Sequence, residues 1–220
     1  MKKNIILKGP VLTRSGYGEQ ARFALRCLRS REDLYNVFIQ PLSWGSTSWL
    51  SEPSEERTWI DQTIEKTISY IQQGGTFDTS LQVTIPNEFE ALAPINIGYT
   101  AGIETTRVAP EWLEISNQMN KLIVVSNHSK NIFLNSSAVA INKETNQKVD
   151  DYKIQIPVDV VNYPVKKYDN LPKINLNLDY DFNFLLVSQM GIRKNIPNTI
   201  KWFIEEFNDE EVGLIVKTNI

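Results

Sequence analysis

The sequence has one cysteine and one histidine, and nowhere an apolar run that approaches the roughly 20 residues needed to span a bilayer. A lone Cys27 excludes an internal disulfide and agrees with a reducing compartment. With so few Cys and His there is no set of residues at zinc-ligand spacing. The opening Met1-Lys2-Lys3-Asn4-Ile5-Ile6-Leu7-Lys8 has a basic flank, but its apolar run is too short for a secretory signal core. Charge of one sign is also lacking overall. A net charge of -3 gives no global bias toward nucleic acid or an anionic membrane. Internal repeats and low-complexity stretches are absent as well. These absences lead to the expectation of a cytoplasmic protein without nucleic-acid partners.

What is present is an ordinary buried core. The 220 residues are 41% hydrophobic and 22% charged, enough for one domain plus part of another. Cations cluster at the start, where Lys2, Lys3, Lys8, Arg14, Arg22, Arg26, Arg29 and Arg31 face only Glu19. That opening fits an anionic ligand or peripheral contact with a lipid surface. It fits equally a solvated helix face balanced by acids elsewhere. Cys27, beside apolar helix positions, is expected to pack rather than react.

Short apolar runs alternate with longer stretches of helical period, the pattern of parallel βαβ units and an α/β fold. Strands are expected over residues 4–7, 37–40, 81–85, 95–99, 122–125 and 152–161. A helix carries Ala21, Ala24, Leu25 and Leu28 on one face and Arg22, Arg26 and Arg29 on another. Ile60, Ile64, Ile68 and Ile71 mark a second, closed by Gly74-Gly75. Further helices are expected over 111–119 and 129–134. The Ser-, Trp- and Pro-rich stretch 41–54 is a long loop, a length that usually binds something or shields an edge. Residues 135–150 are polar, without a period, and are expected to be loop.

These elements divide the chain into a Rossmann-like domain over 1–163, a linker over 164–181 and a new unit over 182–220. The linker carries Pro164, Pro172 and three lysines. In the new unit, 182–187 is expected as a buried strand, Ile200, Phe203, Ile204 and Phe207 lie at i, i+3, i+4, i+7, and 212–216 is a second strand. Two strands and one helix cannot cover both faces of a parallel sheet, so either another surface caps the unit or, as is expected, the natural chain continues beyond Ile220. The 220 residues alone are expected to turn over little substrate.

Two junctions carry chemistry. Ser15-Gly16-Tyr17-Gly18 joins the first strand to the first helix, where glycines admit close approach and helix N–H groups favour anions. The spacing departs from the dinucleotide GxGxxG pattern, because position 21 is Ala. A tight turn without a ligand accounts for the same residues. Gly191-Ile192-Arg193-Lys194-Asn195 places two cations at the carboxyl end of a parallel strand, the ligand-binding edge of open α/β sheets. Arg can grip a phosphate with paired hydrogen bonds, and Lys acts as a point charge.

Taken in order, Ser15-Gly16-Tyr17-Gly18, Val124 to Lys130 with Ser126-Asn127-His128-Ser129, Ile156-Pro157-Val158-Asp159-Val160 and Arg193-Lys194-Asn195 resemble the retaining GT-B glycosyltransferases of group 1. Tyr99 to Trp112, with Glu104-Thr105-Thr106 and Pro110-Glu111-Trp112, resembles the mannosyltransferase-like members. The resemblance covers essentially the whole chain. It implies two facing Rossmann domains, with an N-terminal acceptor side and a C-terminal nucleotide-sugar side. Sugar transfer would proceed with retention and without a metal or cofactor, the nucleotide-sugar being the donor substrate. The implied acceptor is a carbohydrate or a lipid-linked sugar. Gly16 and Gly18, with Ser15 and Tyr17, match the family's glycine loop beside the donor diphosphate. Lys194 and Arg193 match its diphosphate-binding catalytic cations, and Glu104 and Asn195 are candidate cleft residues.

The sequence departs from the family at several points. No Glu has another Glu eight residues on, so the donor-domain Glu-x7-Glu pattern is missing. Tyr99-Thr100-Ala101-Gly102 stands where many members place a His. His128 is read as a capping or surface residue. Asp179-Tyr180-Asp181 has the metal-binding form DxD, but at a strand entrance rather than its exit. A second functional class stays open: a non-catalytic half-transferase that holds a sugar or acceptor and docks on a partner, with Trp44 and Trp49 in its loop.

Overall fold

The apolar runs of the first part of the chain pair side by side, all in one direction. The computed structural model describes residues 2–141 and 147–218. Its strands are β1 (Lys3–Gly9), β2 (Tyr35–Pro41), β3 (Thr79–Val83), β4 (Ile95–Thr100), β5 (Lys121–Val124), β6 (Ala138–Ile141), β7 (Lys148–Tyr152) and β8 (Val158–Val160), followed by β9 (Phe182–Val187) and β10 (Val212–Lys217). The helices are α1 (Gly16–Arg29), α2 (Glu55–Gln72), α3 (Pro110–Ser116), α4 (Asn127–Asn135) and α5 (Ile196–Phe207). A six-stranded sheet runs β2-β1-β3-β4-β5-β8, and every neighbouring pair is parallel. This is an α/β, Rossmann-like sheet flanked by helices.

Alternation along the strands divides their side chains between two cores. Leu7, Val37, Ile39, Val83 and Tyr99 pack with Ala21 and Leu25 of α1 and Ile60 of α2. On the other face Leu122 and Val124 meet Phe89, Leu113 of α3 and Ile132 and Phe133 of α4. Fully burying one such Leu or Phe contributes about 1.5–3 kcal/mol.

Helix α1 starts where Ser15 accepts the Gly18 N–H, and its first and last turns carry Glu19 and Arg26 with Arg29, which suit the helix dipole. Its buried stripe is Gly18, Ala21, Arg22 and Leu25, with Gln20 buried beside it. Cys27 falls two residues past that stripe and is exposed, contrary to the packed position expected of it. Arg22 corrects the expected polar face in the other direction. It is 4% exposed, and its guanidinium donates to the Val11 and Thr13 carbonyls at 2.9 and 2.8 Å and to Glu19. The other arginines of the opening segment are largely neutralised too: Arg26 pairs with Glu56 and Glu19, Arg31 with Asp33 and Arg14 with Glu52. Acids elsewhere in the fold therefore balance most of the basic start.

Helix α2 turns a different face inward from the one its isoleucines suggest. It buries Ile60, Thr63 and Thr67, while Ile68 and Ile71 are exposed. The reason lies at the edge of the sheet. Thr67 accepts the Ile39 N–H at 2.9 Å and donates to the Thr63 carbonyl at 2.7 Å. Nearby, the Tyr35 N–H donates to the Arg31 carbonyl at 3.1 Å.

The loop expected over 135–150 contains strands. β6 and β7 pair antiparallel as a hairpin, held by backbone bonds that their polar sequence does not advertise; residues 142–146 of that stretch lie outside the described residues. The single strand expected over 152–161 is divided between β7 and β8, because Pro157 brings no N–H and its carbonyl instead accepts from Leu122 at 3.0 Å.

The chain separates into two compact units, Met1–Val165 and Lys166–Ile220. In the second, β9 and β10 run parallel with α5 between them in sequence. Phe184, Phe203 and Phe207 form an aromatic cluster. The expected burial of β9 is not found: Phe182, Leu185 and Val187 are exposed, because one helix covers one face only. The position of Ile220 lies outside the described residues.

Candidate functional site

In an open parallel sheet, ligands bind beyond the carboxyl ends of the strands where the order reverses. Here that point lies between β1 and β3. The segment leaving β1 is tied down in several ways. Thr13 Oγ1 donates to the Pro10 carbonyl at 2.9 Å and lies 2.8 Å from Ser15 Oγ. Ser15 Oγ accepts the Gly18 N–H at 2.9 Å. The Trp-bearing loop docks on the same segment, with Arg14 N donating to Ser48 O and Leu50 N to Leu12 O, both at 2.8 Å.

The glycines expected to form a loop are instead the opening residues of α1. Their surroundings differ. A Cβ on Gly18 would lie 2.2 Å from the Thr13 carbonyl oxygen, whereas a Cβ on Gly16 would meet nothing within 4 Å. Gly18 is thus required by the fold, and Gly16 leaves open space at the helix start. There the N–H groups of Gly16 and Tyr17 precede the first intrahelical bond, an arrangement that favours an anion.

Tyr17 joins this helix start to the end of β4. Its ring packs on Trp44 with centroids 4.5 Å apart, and its hydroxyl lies 2.9 Å from Thr100 Oγ1 while accepting the Ala101 N–H at 3.0 Å. Burial pushes the Tyr17 hydroxyl's pKa up against these hydrogen bonds, and Glu104 adds to the rise. Gly102 follows at φ +79, a left-handed conformation in which a side chain would be strained. Ser129 Oγ donates to Ala101 O at 3.0 Å, and Ser126 caps α4 by accepting the Ser129 N–H at 3.1 Å. The carboxyl ends of β1, β4 and β5 are therefore stitched together by hydroxyls. The sequence motifs Tyr99-Thr100-Ala101-Gly102 and Ser126-Asn127-His128-Ser129 include Thr100, Ser126 and Ser129 without assigning them a site role; only the Ser126-x-x-Ser129 cap is a local signal.

Glu104 is exposed on the turn after β4. Tyr163, half exposed, lies near it: burial raises the Tyr163 pKa, with Tyr17, Tyr99 and Glu104 contributing. His128 is exposed in the first turn of α4.

Arg193, Lys194 and Asn195 belong to the second unit. A single 3-10 turn, Ile192–Lys194, follows the end of β9, with Lys194 N donating to Gly191 O at 3.0 Å. Asn195 adopts φ 51 and leads into α5. Both cations are exposed, and among the described residues neither forms an ion pair. Asp179 and Asp181 immediately precede β9, at its entrance. Among the described residues no cluster of His, Cys, Asp or Glu could hold a metal ion, and no helix is long and apolar enough to cross a membrane. No protein family, curated protein or solved structure matches the chain.

Proposed function

We propose that the chain carries the acceptor-side domain and the opening βαβ unit of the donor-side domain of a retaining, metal-independent GT-B glycosyltransferase. The observation that supports this most is the state of its cations. Arg14, Arg22, Arg26 and Arg31 are all paired with acids, whereas Arg193 and Lys194 stand exposed in the turn after β9 and, among the described residues, form no ion pair. Both follow a parallel strand at its carboxyl end, the edge at which open α/β sheets bind ligands.

In this reading the pair binds the diphosphate of a nucleotide-sugar. As the glycosidic bond breaks, negative charge gathers on the leaving phosphate and positive charge on the sugar carbon. Arg193 and Lys194 stabilise that phosphate without a metal, and the departing oxygen takes the proton of the acceptor hydroxyl. The open helix start at Gly16 and Tyr17 serves the donor phosphate or the acceptor, and the exposed carboxylate of Glu104 serves the acceptor side.

A charged hydrogen bond contributes about 1.5–3 kcal/mol, so Lys194→Ala should weaken UDP or GDP binding by about ten- to a hundredfold. Calorimetric titration of both nucleotides checks this. Failure of both nucleotides to bind the complete protein, or unchanged affinity in its Lys194→Ala variant, removes the proposal. The rival reading, a non-catalytic module docked on a partner, draws support from the exposed Trp202, Ile204 and Leu185 of the second unit.

A further inference from the structure

Within the first unit an apolar groove of about 400 Å³ runs beside α1, a volume inside the range of about 300–1,000 Å³ typical of small-molecule sites. Phe23 and Leu28 of α1 form one wall, and Leu81, Tyr99 and Ile123 of β3, β4 and β5 form the floor. Val161 and Pro164 close the end that lies beyond β8. Among its lining residues is Gln20, 2% exposed, and neither carboxamide atom of Gln20 has a hydrogen-bond partner. The neighbouring Tyr99 hydroxyl donates its one proton to the Val161 carbonyl at 3.0 Å, so toward Gln20 it can only accept, and it offers nothing to Gln20 Oε1. A buried amide without partners costs free energy comparable to a lost hydrogen bond, and a ligand that pairs with it recovers that cost.

The groove's volume and lining argue for the kind of occupant. By register, Lys121 and Asp159 share the sheet face of Tyr99 and Ile123, and they form an exposed ion pair at 2.7 Å. The apolar strip is thus bounded by α1 on one side and by charges on the other. One turn of a helix about 10–12 Å across and about 5.4 Å long takes up more than the groove's roughly 400 Å³. A single aliphatic chain takes up less. No residue lining the groove is charged, which disfavours an ionic head.

We propose that this groove binds a neutral, single-chain amphiphile whose head both donates and accepts a hydrogen bond, as a primary amide does, and that Gln20 reads the head. The site is independent of the glycosyl-transfer reading, and its test involves no transfer.

Cys27 lines the groove and is exposed, so its alkylation by iodoacetamide reports occupancy in the intact chain. Decanamide should slow alkylation saturably, at lower concentration than decyltrimethylammonium or decanoate. Gln20→Leu should weaken decanamide protection about tenfold, reflecting the lost amide pair, and leave protection by decane-like chains intact. Carbon-13 methyl NMR of Leu28 and Ile123 gives a second readout that does not depend on the thiol. The inference is overturned if no amphiphile protects, if charged heads protect as well as the amide, or if Gln20→Leu binds decanamide unchanged. It is equally overturned if sedimentation shows that a second copy of the chain shields Cys27 without ligand.

Discussion

The two glycines at the start of α1 should respond oppositely to the same methyl group. Gly18→Ala pushes a carbon to within 2.2 Å of the Thr13 carbonyl and 3.0 Å of the Pro10 carbonyl, both backbone atoms that cannot rotate away. The segment from Pro10 to Thr13 must shift, and it is also the acceptor for the buried Arg22 guanidinium. Overpacking of this kind costs about 1–3 kcal/mol, against which the better helix propensity of alanine returns at most about 1 kcal/mol. A net loss of about 2 kcal/mol lowers Tm by about 4–8 °C for a unit of this size. Gly16→Ala meets open space at the first helical position and should stabilise by about 0.5–1 kcal/mol. Urea unfolding followed by tryptophan fluorescence measures both, since Trp44, Trp49, Trp59 and Trp112 lie in the first unit and only Trp202 in the second. Equal midpoints for the two variants would refute the distinction between a glycine the fold requires and one it merely contains.

Replacing Arg22 by Met leaves the Val11 and Thr13 carbonyls and Glu19 without their shared donor, and should cost about 3 kcal/mol in the same urea assay. Acid should also destabilise the first unit. The Lys8 ammonium bonded to Glu90 holds that carboxyl below its ordinary 4.5; at Glu19 burial works to raise the pKa, but the Arg22 and Arg26 guanidiniums outweigh it and leave it lowered. A depressed folded-state pKa means that this stability is fully present above the ordinary value and is lost as pH falls through the lower one. Urea midpoints should therefore fall on acidification below about pH 4.5, and Glu19→Gln should flatten the slope. A slope unchanged by Glu19→Gln would show that the carboxylate is uncoupled from folding.

The parallel sheet was legible because its inner strands are short apolar runs spaced by helical stretches, and β1, β3 and β4 fall within two residues of where those runs place them. The separate pair β6–β7 was not, since a strand with residues such as Lys148, Asp150 and Asp151 has no alternation strong enough to separate it from loop. Periodicity misplaced Arg22 for a related reason: a helical wheel shows which face a residue occupies, not which carbonyls wait beneath it. At the candidate site, Ser15 and Tyr17 were visible as a strand-to-helix junction. The partnership of Tyr17 with Thr100 was not, because it joins side chains 83 residues apart and only folding brings them together.

The outermost strand β2 has a bearing on how this chain behaves among its own copies. Its outward-facing backbone positions are those of Tyr35, Val37, Ile39 and Pro41. The first donates into the preceding turn, the third is claimed by Thr67, and the last has no hydrogen to give. A stray strand seeking to extend the sheet from that side finds only the Val37 N–H still free among the four outward donor positions, which weakens pairing with another copy at this edge.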